Sequence, residues 1–198
     1  LSSRVVATLV SSLCKVVWPR VICLITSQSF LAHKIKKMTE DISKLTQGSK
    51  IEGVYVQPLR KICDERGMIM HMLRNDSPIF TKFGEGYFSE AMPGAIKGWH
   101  IHREQTQHYC VPYGMIKLVL CDMREGSPSK GVIEEHFLGE NNYALIRIPV
   151  GVANGYKTYG LKPALVANCA DQPHGADEMD RIDPFSDEID YCWDLKHM

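Results

Sequence analysis

This chain carries no surplus of either charge: 23 lysines and arginines balance 23 aspartates and glutamates. With its cations scattered rather than massed, it lacks the electrostatic footprint of a protein that binds nucleic acid or an acidic membrane surface. No CxxC spacing occurs among the seven cysteines at 14, 23, 63, 110, 121, 169 and 192, and their number is odd. That argues against a disulfide framework and against a paired-cysteine metal or redox motif. Several lie within apolar strand-like runs, so they read as buried free thiols in a reducing compartment, the cytoplasm. No apolar run is long enough to cross a bilayer, because Lys15 and the pair Pro19 and Arg20 interrupt the one candidate. Internal repeats and low-complexity tracts are also missing.

Acidic residues are absent from one region altogether, since the first is Glu40. Residues 1–37 are apolar and basic, with Arg4, Lys15, Arg20, Lys34, Lys36 and Lys37. An organellar transit peptide fits the lack of acids; a secretory signal fits less well, because no clean apolar core leads to a small-residue cleavage site. The favoured expectation is that the natural protein begins at Met38 with the polar run MTEDISKLTQGSK. Residues 1–37 then stand outside the fold, and 38–198 form a single domain.

Beyond Ile51 no stretch of convincing helical period appears. Short β-branched and aromatic runs are broken by turn residues, which predicts an all-β sandwich or barrel. The expected strands are 53–56, 68–73, 85–90, 95–102, 107–111, 115–121, 132–137, 144–148, 155–158 and 164–169. About ten strands make one jelly roll, a double-stranded β-helix. A helical turn is expected at 40–45, and the Asp- and Pro-rich tail from Gln172 should wrap the barrel as loop with a short helix or two.

The most informative stretch runs from Gly94 to Gly114, GAIKGWHIHREQTQHYCVPYG. His100 and His102 are two apart on a strand, so they point to one face and can project together into a barrel. A partner half follows at 142–154, where a β-rich run ends in the Pro-Gly turn PVGVAN. The two halves resemble the paired motifs of the cupin superfamily. The four metal-ligand positions of that superfamily would be His100, His102, Gln107 and Asn154. Neutral amides are weak donors, so the expectation is a metal-free site that needs no cofactor.

The order of motifs narrows the resemblance. DERG at 64–67, KGWH at 97–100, DMREGSP at 122–128, GENN at 139–142, IPVGVANGY at 148–156 and IDP at 182–184 are similar to motifs of the dTDP-4-dehydrorhamnose 3,5-epimerases. Those enzymes carry D-x-RG, RG-x-H, D-x-R-x-x-SP, E-N, IP-x-G-x-AHG and W-x-DP in the same sequence. The resemblance spans about 54–193 and is closest to a divergent branch. It implies a cofactor-independent isomerase of deoxysugar and polysaccharide biosynthesis. Hydrogens on carbons 3 and 5 of a 4-keto sugar nucleotide are acidified by the ketone. Epimerisation needs a base on one face, an acid on the other, and a stabilised enolate oxygen between them.

Carried over residue by residue, the resemblance makes His100 the base, Asp183 the carboxylate that orients it, and Lys97 the cation near the enolate. From local sequence alone, Asp183 equally suits a turn before Pro184. Arg66 matches a residue that contacts the nucleotide or its diphosphate, though DERG equally suits a surface hairpin. His102 could line the pocket or serve the core. His108 or Gln107 falls where the family has a lysine near the sugar. Asp122 and Arg124 read as a structural ion pair. Two departures stand out. The histidine of AHG is Asn154, and the family's acid, a tyrosine on the following strand, is replaced by Ala167 or Asn168. Tyr156, Tyr109 and Tyr113 could substitute. The lost phenol keeps other readings open: a single-centre epimerase or ketoisomerase, a metal cupin, or a cupin that binds a sugar nucleotide without catalysis. The family also implies a homodimer with strands crossing between subunits.

Overall fold

A computed structural model describes residues 49–196, together with Ala32, His33 and Lys36, which are helical. The chain divides between Ser43 and Lys44 into two units, and the fold below belongs to the second. The expectations for the 1–37 leader, for a start at Met38 and for a helical turn at 40–45 fall almost entirely outside the described residues.

Among the described residues twelve strands form the domain: β1 Tyr55–Pro58, β2 Lys61–Asp64, β3 Gly67–Met70, β4 Glu85–Ala91, β5 Ile96–His102, β6 Gln107–Tyr113, β7 Met115–Asp122, β8 Ile133–Gly139, β9 Ala144–Ile148, β10 Val152–Thr158, β11 Ala164–Ala170 and β12 Met179–Arg181. One five-stranded sheet has the order β1-β9-β6-β11-β4, the other β12-β5-β10-β7-β8, and β2 with β3 forms a separate hairpin. Every pairing is antiparallel. The expected jelly roll is therefore present.

Period-two alternation builds three apolar layers. On β7, Ile116, Leu118 and Leu120 enter the core between the sheets with Tyr109, Ile146, Tyr156 and Val166, while Val119 and Cys121 face a second cluster with Trp99 and Trp193. A third cluster, with Cys110, Leu145 and Ala167, covers the other sheet's outer face. Fully burying a side chain such as Leu118 stabilises the fold by roughly 2 kcal/mol. Gly114, at φ +72°, makes the turn from β6 to β7; a Cβ there would lie 2.3 Å from the Pro163 carbonyl oxygen, so only glycine fits.

Two expectations are corrected. Among the described residues the tail holds no helix; it contributes β12, which pairs with β5. Pro173 and Pro184 interrupt it, and a strand edge on β5 was available to be covered. Nor are all the thiols buried. Cys110 and Cys121 are, Cys169 is intermediate, and Cys63 and Cys192 are exposed, because β2 belongs to a protruding hairpin and Cys192 lies in the tail.

Candidate functional site

Strand β5 carries the site. It approaches β10 so closely that a Cβ on Gly98 would sit 2.7 Å from the Gly155 Cα, so glycine at both positions lets the backbones touch. Asn154 lies opposite His100 in this pairing, donates from Nδ2 to the His100 carbonyl at 3.1 Å, and accepts a long hydrogen bond from the Tyr109 hydroxyl at 3.4 Å. On the back of the strand Trp99 is buried against Trp193 and Tyr191. The front is thereby fixed, and His100 and His102 point the same way, as alternation requires.

They face a cavity of about 250 Å³ between the two sheets. Lys97, His100, His102 and Tyr156 come to it from the second sheet with Met179 and Arg181 of β12; Tyr87, Ser89, Tyr109 and Val166 come from the first. His102 is paired. Its Nδ1 stands 2.8 Å from Glu178 Oε2, with both side chains buried. Glu178 Oε1 also accepts from the Gln105 N–H at 3.1 Å, so the carboxylate is fixed before it meets the imidazole. No hydrogen bond engages His102 Nε2 among the described residues.

His100 lacks a carboxylate. Burial first, and then the charges of His102, Arg181 and Lys97, push its imidazole down to about 4, so at neutral pH it is uncharged. Lys97 Nζ donates to Ser89 Oγ at 3.0 Å and to the Glu90 carbonyl at 2.6 Å, and Ser89 Oγ lies 2.9 Å from the Tyr156 hydroxyl. Burial raises both Tyr109 and Tyr156 above the ordinary phenol value, so both hold their protons. The cavity thus combines neutral imidazole, protonated phenol and two cations, a set suited to moving protons at carbon beside an anionic ligand.

Of the residues singled out from the sequence, Lys97, His100, His102, Tyr109 and Tyr156 converge here. Asp183 does not join His100: it is exposed, and its Oδ1 accepts from the Phe185 N–H at 2.9 Å in a turn. The tail reaches β5 through β12, which brings Glu178 alongside the histidines and carries Asp183 past them. Arg66 is likewise absent from the cavity; it caps the β2–β3 hairpin, 86% exposed, paired with Asp64 at 2.6 Å.

His108 alternates to the opposite side of β6, where its ring nitrogens meet the Cys169 and Ile79 carbonyls. Gln107 donates to Gln105 Oε1 at 2.8 Å and accepts from Asn168, whose Oδ1 takes the His108 N–H. Gln107, Asn154 and Asn168 therefore brace the strands rather than line the cavity. Ala167 faces the outer cluster, and Tyr113 is 46% exposed beneath Lys162. Asp122 and Arg124 form the expected pair at 2.8 Å. Burial would raise the Asp122 carboxyl, but donors from Arg124, Ser127 and Ser129 outweigh it and hold the group well below the usual range.

Sequence reasoning missed Glu178, Arg181, Tyr87 and Ser89. None belongs to a motif, and each reaches the site only because β12 and β4 are edge strands of the two sheets.

Residues 48–197 match the family model described as dTDP-4-dehydrorhamnose 3,5-epimerase. The spore coat polysaccharide biosynthesis protein SpsL of Bacillus subtilis is 36% identical over 149 residues, 74% of this chain and 98% of that protein. A dTDP sugar isomerase of Desulfovibrio desulfuricans G20, known as a crystal structure, is 45% identical with a TM-score of 0.71, covering 72% of this chain and 92% of its own. The fold also matches NovW, a 4-keto-6-deoxy sugar epimerase of Streptomyces spheroides, at TM-score 0.68 and 19% identity, over 74% of this chain and 77% of NovW.

Proposed function

Because the chain belongs to the dTDP-4-dehydrorhamnose 3,5-epimerase family, we propose that it epimerises a nucleotide-linked 4-keto-6-deoxy sugar of the dTDP-4-dehydro-6-deoxyglucose type, for polysaccharide biosynthesis in the cytoplasm. The observation that carries this reading is the buried pair of His102 and Glu178, at a cavity also lined by the protonated phenols of Tyr109 and Tyr156.

The chemistry follows from those groups. Glu178 orients His102 through Nδ1 and stabilises the imidazolium that forms when Nε2 takes a proton from the carbon beside the ketone. Negative charge moves to the ketone oxygen. His100, neutral and without a carboxylate, is then a donor rather than a base: its N–H and the Lys97 ammonium stabilise the enolate oxygen. This moves the base from His100, where the resemblance placed it, to His102, and its orienting carboxylate from Asp183 to Glu178. Arg181 and Lys97 give the cavity positive charge suited to a diphosphate.

A homodimer is part of the proposal. Ile62, Met68 and Ile69 leave the β2–β3 hairpin apolar and exposed, and Arg66 at its tip, paired with Asp64, stands exposed to a second copy.

Proton NMR of dTDP-4-keto-6-deoxyglucose in deuterium oxide with the protein tests the function. Loss of the signals at carbons 3 and 5 is expected for a double epimerase and loss of one for a single-centre enzyme. Retention of both signals would overturn the proposal for this substrate.

A further inference from the structure

We propose that Tyr156 is the general acid of this site, reloaded through Ser89 and Lys97; the assignment rests on the epimerase reading above. The strand that should supply a phenol, β11, offers none: Val166 faces the cavity, Ala167 the outer cluster, and Asn168 is bonded to Gln107. The acid must come from elsewhere.

Three tyrosines line the cavity. Tyr87 is 40% exposed, so water competes for its proton. Tyr109 directs its hydroxyl proton to Asn154 Oδ1. Among the three, Tyr156 is the one joined through a serine to a cation. Its hydroxyl lies 2.9 Å from Ser89 Oγ, which accepts from Lys97 Nζ at 3.0 Å. A serine hydroxyl has one proton and two lone pairs. With a lone pair taken by Lys97, Ser89 can donate to the Tyr156 oxygen and leave the phenol proton free for the cavity. Position agrees. Tyr156 grows from β10, beside the histidine strand, but its hydroxyl ends on Ser89 of β4 in the opposite sheet. Phenol and imidazole thus approach a ligand from different sides.

The protons balance. His102 Nε2 takes hydrogen from carbon, and the C–H electron pair becomes the enolate. Tyr156 gives its proton to the same carbon from the other side; the new C–H bond forms as the enolate returns to a ketone. The tyrosinate regains a proton from Ser89, Ser89 from Lys97, and Lys97 from solvent, while the imidazolium releases its proton to solvent.

The test is Tyr156→Phe in deuterium oxide, following deuterium uptake and product stereochemistry separately. Uptake within a few-fold of wild type is expected, because His102 returns a deuteron to the original side. Inverted product should fall at least roughly 100-fold. Inversion within threefold of wild type would overturn the assignment, and so would joint loss of uptake and inversion in a folded variant. If Tyr156→Phe does not fold, Ser89→Ala decides: inversion reduced relative to uptake supports the relay, an unchanged ratio refutes it. Absence of uptake in wild type would instead overturn the epimerase reading, and this assignment with it.

Discussion

Glu178 and His102 are separated by 76 residues in sequence and by 2.8 Å in space, Oε2 to Nδ1. This makes the two β5 histidines unequal. Glu178→Gln keeps an acceptor for the Gln105 N–H but removes the charge that supports an imidazolium. Deuterium uptake should fall by roughly 100- to 10,000-fold with little change in the unfolding midpoint. His102→Gln should match it. His100→Gln should lose less, about 10- to 100-fold, because it removes only a donor to the enolate. If His100→Gln proved the more damaging of the two in exchange kinetics, the order of roles would be reversed.

The depressed imidazole of His100 links the site to stability. Its proton is bound more weakly in the folded state, at about 4, than in the unfolded chain near 6.5. Its contribution is therefore complete above pH 6.5 and is lost as the pH falls from 6.5 towards 4, at most about 3 kcal/mol. His108 and His136 are lowered too, again mainly by burial, so they add to the same slope. Denaturant titrations across this range should show wild type losing more stability than His100→Gln, the difference between them belonging to His100.

Gly98→Ala tests the contact between β5 and β10. The new methyl would meet backbone at 2.7 Å rather than a flexible side chain, so the strands must part. A destabilisation of about 1–3 kcal/mol is expected, measured by urea unfolding. Turnover should drop in the folded fraction as well, since both histidines ride on the displaced strand.

Asp122 is buried and receives donors from Arg124, Ser127 and Ser129. Asp122→Ala leaves those donors and a cation without their acceptor, at a cost of about 3 kcal/mol. The folded remainder should keep wild-type kcat, because this cluster lies outside the cavity; a kcat defect at full folding would show that it reaches the site.

Most of the architecture could be read from the chain because burial in two stacked sheets imposes its own pattern. MIKLVLCD of β7 and ALIRI of β9 are apolar, β-branched and bounded by turn residues. KICD of β2 and MDR of β12 have no such pattern. They are strands only because a neighbour offers an edge, which no local sequence records. The site divides along the same line. His100 and His102 were legible from spacing on one strand. Glu178 was not, for a carboxylate's partner depends on where the tail crosses β5; Asp183 had the motif, yet a turn N–H two residues further along claimed it. Gln107 and Asn154 fell at cupin ligand positions and Asn168 at or beside the place of the family's tyrosine, whereas here they satisfy one another, Gln105 and the backbone.

The stacking of Trp99 on Trp193 has a practical side. The sequence contains three tryptophans, and these two lie with ring centroids 5.1 Å apart on the reverse of the strand that carries both imidazoles. A ligand that shifts β5 by even a fraction of an ångström alters the packing of this pair. Emission excited at the indole band is therefore the expected label-free readout when a ligand enters the cavity.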